Sequence, residues 1–396
     1  MTVGIILTLC ALVLLAYIFD FTSSKTKIPS VILLLALGYL VKQLCILFDV
    51  NLPDLQGVLP ILGTIGLVLI VLEGSLELEL DKGKLPLIGK SVIVACIPIM
   101  IMAFGLAFAL HYASGYDFKS CLASAIPLCI ISSSIAIPSV RNYAPADREF
   151  VVYESSISDI IGVIFFNFVV LHTNFGAMAF GSFFLQLCVI IVVSFVATGA
   201  LSFLLSRIDH HIKFVPIISL VILIHEVSKI FNLPSLVFIL VLGLFLNNLN
   251  RIRHIHWIQK LNPRLLRREI HKFKEITIEA TFLVRALFFL LFGYVIETRE
   301  LISTSTLIWS VSITASIYVL RIIVLKLSGI KLNPLVFVAP RGLITILLFL
   351  SVSPNLRVPL IDRSLLIQII IMTALVMMIG SMMAKKAVAV QEEVVG

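Results

Sequence analysis

The chain has 396 residues, of which 60% are hydrophobic and only 13% are charged, and its formal net charge is +8. Its mean hydropathy is +1.13. A soluble domain of this length needs more polar surface than this composition supplies, so a soluble globular protein is excluded. Apolar runs of about 20 residues recur from end to end, and each is long enough to cross a hydrocarbon core of about 30 Å. The composition therefore predicts an all-α polytopic membrane protein.

The apolar runs predict about thirteen transmembrane helices. The first run lacks a preceding basic region and a following small-residue cleavage site, so we expect a span and not a signal peptide. Lys and Arg are concentrated in alternate loops, and the positive-inside rule then places the N terminus outside and the C terminus inside. The expected spans are 3–20, 30–48, 58–77, 87–110, 118–138, 149–172, 182–206, 213–228, 233–249, 278–297, 302–325, 334–352 and 364–384.

The densest basic stretch, residues 251–275, lies between the ninth and tenth predicted spans. We interpret 250–277 as a cytoplasmic linker whose basic residues 251–275 lie against anionic lipid headgroups, and not as a nucleic-acid site. Spans 4–6 and spans 11–13 cross the membrane in opposite directions. This arrangement permits an inverted repeat, which is common among secondary transporters.

Spans 5 and 12 contain residues that interrupt helices. Span 5 has Pro127 and Pro138 on either side of three consecutive serines, and span 12 has Pro340, Arg341 and Gly342 near its centre. Proline removes a backbone donor and clashes with the preceding turn, so both spans are predicted to be broken. An ordinary proline kink is the alternative for either span alone. Two broken spans at matching positions of the two triplets indicate a substrate site.

Span 6 places carboxylates among apolar residues in the segment "VYESSISDIIG", residues 152–162. A carboxylate at the centre of a bilayer costs about 2.5–3.5 kcal/mol, so its presence suggests a function. In a helix, Glu154 and Ser158 are four residues apart, as are Ser155 and Asp159, and the four side chains share one face.

Two arginines predicted to lie deep in the membrane, Arg285 and Arg341, could neutralise these carboxylates. The simpler interpretation is that the two carboxylates and the two arginines form two structural ion pairs. The interpretation that we favour is one structural pair and one carboxylate that exchanges protons. Glu73 lies near the inner end of span 3, where a snorkelling side chain and a functional carboxylate are equally good interpretations. Lys90 and Arg321 lie near cytoplasmic ends and are interpreted as snorkelling side chains.

At these residues the chain resembles the monovalent cation/proton antiporter superfamily, which includes the sodium/hydrogen exchangers and their potassium-efflux relatives. The stretches that carry the resemblance are "LEGSLELEL" (72–80), "ESSISDIIG" (154–162) and "FLVRALFFLLFGYVI", which is followed by "PRGLITILLFL" (340–350). The resemblance covers nearly the full length. It implies a homodimer with two broken helices that cross, in which a core subdomain slides against a dimerisation subdomain in an elevator-like, alternating-access motion. The resemblance implies a single transmembrane domain, 1–396. Within this domain we expect the core subdomain to comprise about 87–172 and 302–384, and the dimerisation subdomain to comprise about 1–80 and 182–297.

The resemblance also assigns roles to residues. Asp159 corresponds to the ion-binding aspartate, Glu154 to a glutamate paired with the late-span arginine (here Arg341), and Glu73 to a position that helps form the cation site in some members. Two motifs differ: Ser158 replaces the family's Asn or Asp, and "SSSIAIP" replaces its Thr-Asp-Pro. The expected site is the following: Asp159, Ser158, Ser155, Glu73, Ser132, Ser133 and Ser134 as ligands of the cation or proton, Glu154 with Arg341 as structural ion pair, and Arg285 as charge compensation.

The predicted function is exchange of Na⁺ or K⁺ for H⁺ across a cell (inner) membrane by a multi-pass protein, with Asp159 binding either ion. We expect no enzymatic activity, no cofactor and no metal beyond the transported alkali cation. Sodium-coupled symport of an organic anion is the alternative within transport, with arginines and helix N-termini holding the substrate. An interfacial membrane enzyme or a receptor is the alternative from another class.

Overall fold

The computed structural model describes residues 2–26, 28–48, 57–78, 82–140, 143–172, 177–207, 214–231, 233, 235–248, 263–301 and 303–395. Within these ranges the chain folds into α-helices joined by short loops and 3-10 turns. The helices are α1 (Thr2–Thr26), α2 (Ser30–Leu47), α3 (Val58–Glu77), α4 (Leu85–Ser114), α5 (Phe118–Cys129), α6 (Ser133–Ser139), α7 (Pro145–Leu171), α8 (Ala177–Arg207), α9 (Phe214–Ile230), α10 (Ser235–Asn247), α11 (Pro263–Val295), α12 (Thr298–Leu301), α13 (Thr304–Leu327), α14 (Leu343–Ser351) and α15 (Arg363–Val395).

Nine helical segments of the described residues are long and apolar enough to cross a membrane. They include α4, α7, α13 and the segment formed by α5 and α6. In the α5–α6 segment, 94% of the most apolar stretch of 18 residues is buried. Two shorter apolar helical stretches accompany them: Cys10–Thr22, which is part of α1, and Ser235–Asn247, which is α10. The prediction of an all-helical, multi-pass membrane protein is confirmed at this level.

Packing divides the helices into two sets. In the first set, α4 packs against α5 and α7, and α13 packs against α15 and α4. In the second set, α11 packs along α2 and α3, while α10 packs against α3 and α8. The sets meet where α3 contacts α7 and α14, and a smaller contact joins α1 to α6. These meeting surfaces surround the middle of α7.

Local sequence explains the helix ends near this region. Gly115 ends α4 in the left-handed conformation (φ 68°), which glycine adopts without steric cost, and its N–H donates to the carbonyl of His111. The Asp117 carboxylate accepts from the N–H of Lys119 and so begins α5. Helix α11 begins at Pro263, so the second part of the predicted linker is helical and continuous with the following span. Residues 251–262 lie outside the described residues.

Both predicted interruptions are present. Helix α5 ends at Cys129 and α6 begins at Ser133, so Ile130–Ser132 lie between the two helices. Further along the chain, a 3-10 turn (Leu335–Phe337) is followed by non-helical backbone up to Gly342 before α14 begins. Both spans are therefore broken, as predicted. In span 5 the break lies between the two prolines, with Pro127 inside α5 and Pro138 inside α6.

Candidate functional site

The two interruptions meet inside the protein. The backbone N–H of Ser132 donates to the carbonyl of Pro340 at 2.9 Å. A side chain at Gly342 would not fit, because a Cβ there would lie 2.8 Å from the Ser132 hydroxyl and 2.6 Å from the side chain of Ile135. Non-helical backbone at membrane depth is tolerated where protein buries it or water solvates it. Here each interruption supplies a hydrogen-bonding partner to the other.

Arg341 caps the end of the first broken helix. Its guanidinium donates to the carbonyl of Leu128 at 2.7 Å and to that of Ala339 at 3.0 Å. The backbone N–H of Arg341 donates to the Thr373 hydroxyl at 3.1 Å. The last carbonyls of α5 have no helical donor, and a cation at a helix C-terminus is electrostatically favourable. Arg341 therefore stabilises the crossing itself.

Asp159 projects from the middle of α7 onto the first interruption. Its Oδ2 accepts a hydrogen bond from the Ser133 hydroxyl and a weaker one, at 3.4 Å, from the Ser133 N–H. Its Oδ1 makes no hydrogen bond within the described part of the chain, although the residue is only 3% exposed. A buried polar atom without a partner is unfavourable and indicates a ligand, since a proton or a cation would satisfy it.

The predicted serine ligands differ in their contacts. Ser133 touches Asp159 directly, and Ser132 and Ser134 share a hydrogen bond of 2.9 Å beside it. Ser158 accepts from the N–H of Ile131 at 2.9 Å, so it holds the interrupted backbone. The Ser155 hydroxyl donates to the Val151 carbonyl at 2.7 Å within its own helix. The structure thus brings together Asp159 and the serines of the break, while the Ser155 hydroxyl bonds away from them.

The ion pair of Glu154 corrects the predicted one. Glu154 binds Arg321 through two hydrogen bonds, of 2.5 and 3.0 Å, and not Arg341. Arg321 also donates to the carbonyl of Leu335 at 2.8 and 3.0 Å, and it is 3% exposed, so it does not snorkel. Planar guanidinium and carboxylate groups favour this bidentate arrangement. Arg321 of α13 therefore reaches Glu154 of α7, whereas the Arg341 guanidinium donates to the carbonyls of Leu128 and Ala339.

Arg285 was expected to compensate the charge of the span 6 carboxylates. In the structure it lies beside another carboxylate, that of Asp20, which the sequence analysis did not identify. Its guanidinium lies 3.6 Å from the Asp20 carboxylate and donates to the Ser134 carbonyl at 3.1 Å. Asp20 also accepts from the Ser30 hydroxyl at 3.2 Å. Arg285 thereby joins α1 and α11 to the beginning of α6, next to the residue that binds Asp159.

A cavity of about 440 Å³ reaches this region from one side. We call it the acidic cavity, because four carboxylates and two arginines line it together with two serines of the break: Asp20, Glu73, Glu77, Glu279, Arg148, Arg285, Ser133 and Ser134. Glu73 is half-buried on this wall and not at the surface of the protein. Glu73 and Ser133, the hydrogen-bond partner of Asp159, thus line the same cavity.

Sequence reasoning missed Arg321, Asp20 and Glu279. Arg321 lies six residues before the end of α13, which is more than one helical turn and too deep for simple snorkelling. Asp20 is an acidic residue at the end of an apolar run, and this position was a detectable signal. Glu279 is one of several charged residues in the first half of α11, and only the fold distinguishes it.

These features define a class: a helical membrane transporter, with a buried carboxylate beside two interrupted helices that contact each other. The sequence pattern of the family described as "Sodium/hydrogen exchanger, transmembrane" matches residues 10–386. The chain therefore belongs to the sodium/hydrogen exchanger family, which consists of transporters and not of enzymes. This membership confirms the resemblance and supports cation/proton antiport.

The fold agrees with solved structures. A structure of the sodium proton antiporter MjNhaP1 from Methanocaldococcus jannaschii at pH 8 superimposes with a TM-score of 0.68 at 15% identity, covering 98% of both chains. A second structure of the same antiporter, from electron microscopy, gives a TM-score of 0.70 at 17% identity and covers 98% of this chain and 96% of that one. No curated protein sequence matches the chain. At these identities the likeness concerns the fold.

Proposed function

We propose that the protein exchanges Na⁺ for H⁺ and that Asp159 binds the two ions alternately. The observation that carries this proposal is the environment of Asp159, whose Oδ2 is held by Ser133 while its buried Oδ1 has no hydrogen-bond partner among the described residues. A proton on Oδ1 or a partly dehydrated cation beside it satisfies the same atom. Competition for one carboxylate couples the two fluxes without a further device.

The cation ligands are oxygens of several residues. Besides Asp159 we propose hydroxyl oxygens of the break and of Ser158, with Glu73 approaching from the cavity wall. Hard cations prefer such oxygen ligands. Ser155 is the weakest member of the proposed set, because its hydroxyl bonds within α7. K⁺ is the alternative substrate, since the ligand chemistry is the same.

The acidic cavity is the proposed entry route. Its four carboxylates outnumber its two arginines, and a cleft of one net sign concentrates ions of the opposite charge. With the N terminus outside and the C terminus inside, the cavity faces the cytoplasm, because Arg148 at the start of α7 and Glu77 at the end of α3 line it. We propose thirteen spans with an inverted repeat in this orientation, in a cell (inner) membrane.

The two helix sets suggest how access alternates. We propose that the first set, about 87–172 and 302–384, moves against the second, about 1–80 and 182–297, as in an elevator. In this proposal the second set forms the interface of a homodimer, and basic residues of 251–275 lie on anionic headgroups. The hydrogen bond from Arg285 to the Ser134 carbonyl joins the two sets and would break in each cycle, whereas the contact of Arg285 with Asp20 lies within the second set.

The organic-anion alternative finds little support. An organic anion requires a cationic side chain with donors directed at it. Arg321 is occupied by Glu154, Arg341 donates to the carbonyls of Leu128 and Ala339, and Arg285 lies between Asp20 and the Ser134 carbonyl. We therefore retain cation/proton exchange as the conclusion.

Purified protein in proteoliposomes with an imposed pH gradient tests this function. Addition of Na⁺, K⁺ or Li⁺ in turn should collapse the gradient, reported by a pH-sensitive dye, for at least one cation. Asp159→Asn liposomes serve as the control. A gradient that responds only when an organic anion is also added would contradict the proposal.

The stoichiometry is a further proposal. With one exchanging carboxylate each cycle moves one cation against one proton, so the rate should not depend on a membrane potential clamped with K⁺ and valinomycin. Ser158→Asp adds a second acid next to Asp159, and two such neighbours do not both ionise easily. This variant should become voltage-sensitive or show a higher pH optimum. A strongly voltage-dependent parent would contradict one-for-one exchange, and Glu73 would be the next candidate acid.

A further inference from the structure

Pro138 leaves one carbonyl of α6 without its usual helical partner. In an α-helix the carbonyl of a residue accepts a hydrogen bond from the N–H four residues further on. For the Ser134 carbonyl this would be residue 138, a proline inside α6 that has no N–H. The Arg285 guanidinium of α11 donates to the Ser134 carbonyl at 3.1 Å. A proline in the first helix set thus provides an acceptor, and an arginine of the second set occupies it.

The second helix set holds Arg285 in place. Helices α2 and α11 touch through their backbones, since a Cβ on Gly293 would lie 2.3 Å from the carbonyl oxygen of Leu35. The Asp20 carboxylate of α1 lies 3.6 Å from the guanidinium and accepts a hydrogen bond from Ser30 at the start of α2. Arg285 itself is only 8% exposed. Its position is therefore fixed by α1 and α2, while the carbonyl that it binds belongs to α6.

The groups that bind Asp159 and Arg285 are adjacent in the chain. The hydroxyl and the N–H of Ser133 hold Asp159, and the carbonyl of the next residue, Ser134, holds Arg285. An ionised, empty Asp159 attracts a nearby guanidinium, and a bound cation or proton removes that attraction. Asp20 offers the guanidinium a second partner, since 3.6 Å is only slightly longer than a hydrogen bond. The occupancy of Asp159 and the position of Arg285 are thus linked electrostatically.

We infer that Arg285 is a latch between the two helix sets: it holds the Ser134 carbonyl while Asp159 is ionised and empty, and it moves to Asp20 when a cation or a proton occupies Asp159. This inference rests on the proposed exchange function. Arg285 is a positioning residue, because it contacts Ser134 and Asp20 and acts on Asp159 through the peptide between Ser133 and Ser134. The latch prevents the empty carrier from crossing, so that a cation does not leak down its gradient without a proton moving the other way.

Uncoupled cation flux tests the latch. In proteoliposomes, the efflux of radioactive Na⁺ in excess of the proton flux should rise about tenfold in Arg285→Gln and follow a clamped membrane potential. Pro138→Ala supplies an N–H that competes with Arg285, and the leak should rise about threefold, because a carbonyl can accept two hydrogen bonds. Arg285→Lys retains a charged donor and should stay within about threefold of the parent. Pro127→Ala, the matched change inside α5, should remain coupled.

The two changes act on one contact, so their effects should not multiply. Pro138→Ala added to Arg285→Gln should change the leak by less than about twofold. If Arg285→Gln does not fold, the double variant Asp20→Asn/Arg285→Gln removes both charges of the pair and takes its place. A leak no higher than that of the parent in the variant without Arg285, or full multiplication of the two effects, would overturn the latch and leave the exchange function intact.

Thiol labelling reports the latch without measuring transport. In a variant with all six native cysteines replaced by alanine, Ile278→Cys lies on the wall of the acidic cavity. Na⁺, K⁺ or Li⁺, added in turn, should for at least one cation release the latch, let the cavity close for part of the time and slow labelling about twofold. Adding Arg285→Gln should give the slow rate without any cation. Labelling that no cation changes while Arg285 is present would overturn the latch, whereas the expected labelling without any proton flux would overturn the exchange function alone.

Discussion

Two buried carboxylates on one helix differ in the groups that bind them. Glu154 and Asp159 both lie on α7, and they are 1% and 3% exposed. Both oxygens of Glu154 are bound by the Arg321 guanidinium, which neutralises the charge. Asp159 has only Ser133 as hydrogen-bond partner in the described region, and its Oδ1 has none. Burial alone therefore does not distinguish the two acids, whereas their partners do, and on this ground we propose Asp159 as the acid that exchanges ions.

The largest expected effect is that of Asp159→Asn, which removes the titrating group and keeps its volume. Cation-driven proton flux in proteoliposomes should fall to that of empty liposomes, because the substitution removes the carboxyl group that we propose to exchange the two ions. Asp147→Asn, the same change in the first turn of α7, is the matched control and should retain flux. Robust transport by Asp159→Asn would place ion exchange elsewhere.

For the Glu154 pair the expected loss is in stability. Glu154→Gln or Arg321→Gln leaves one buried charge uncompensated, which costs about 3–5 kcal/mol of unfolding free energy. Thermal unfolding in detergent should show a large drop for either variant and a smaller one for the double variant than the sum of the two.

Lys84, just before α4, and Glu149 of α7 form a more exposed ion pair and provide the control for this prediction. Their side chains are 31% and 32% exposed, so Glu149→Gln should cost at most about 1 kcal/mol. Equal losses for Glu154→Gln and Glu149→Gln would show that burial does not distinguish the two pairs.

A smaller effect is expected for Ser133→Ala. The variant removes the hydroxyl that holds Asp159 and leaves the Ser133 N–H in place. Loss of one hydrogen bond to a charged group should raise the apparent KM for the cation by about tenfold. Exchange measured over a range of Na⁺ concentrations checks it, and an unchanged KM would exclude Ser133 from the site.

The smallest effect is expected for Ser155→Ala, which also deletes a serine hydroxyl, about one turn closer to the beginning of α7 than Asp159. Its hydroxyl bonds the Val151 carbonyl, which the helix already satisfies. Exchange should remain within about twofold of the parent, since no contact with Asp159 is lost. A loss as large as that of Ser133→Ala would show that Ser155 turns toward the ion during the cycle.

The sequence was sufficient where the signal is local. Apolar runs predict the membrane helices, Pro340 and Gly342 predict an interruption, and Asp159 is conspicuous because a carboxylate is costly in an apolar run. Partner choice depends on how distant helices face each other. The resemblance favoured Arg341 as the partner of Glu154 and the sequence left Arg321 as a snorkelling side chain, and only the fold, in which Arg321 reaches Glu154, selects Arg321.

The contact between the two interruptions also limits how this sequence can change. Ser132 and Gly342 are separated by more than half of the chain, yet the Ser132 hydroxyl occupies the space that a Cβ at position 342 would need. The side chains at the two positions therefore compete for the same space, and the effects of substitutions at the two positions on stability will not be additive. A larger residue at 342 requires a smaller one at 132, so the pair is expected to vary together among related sequences.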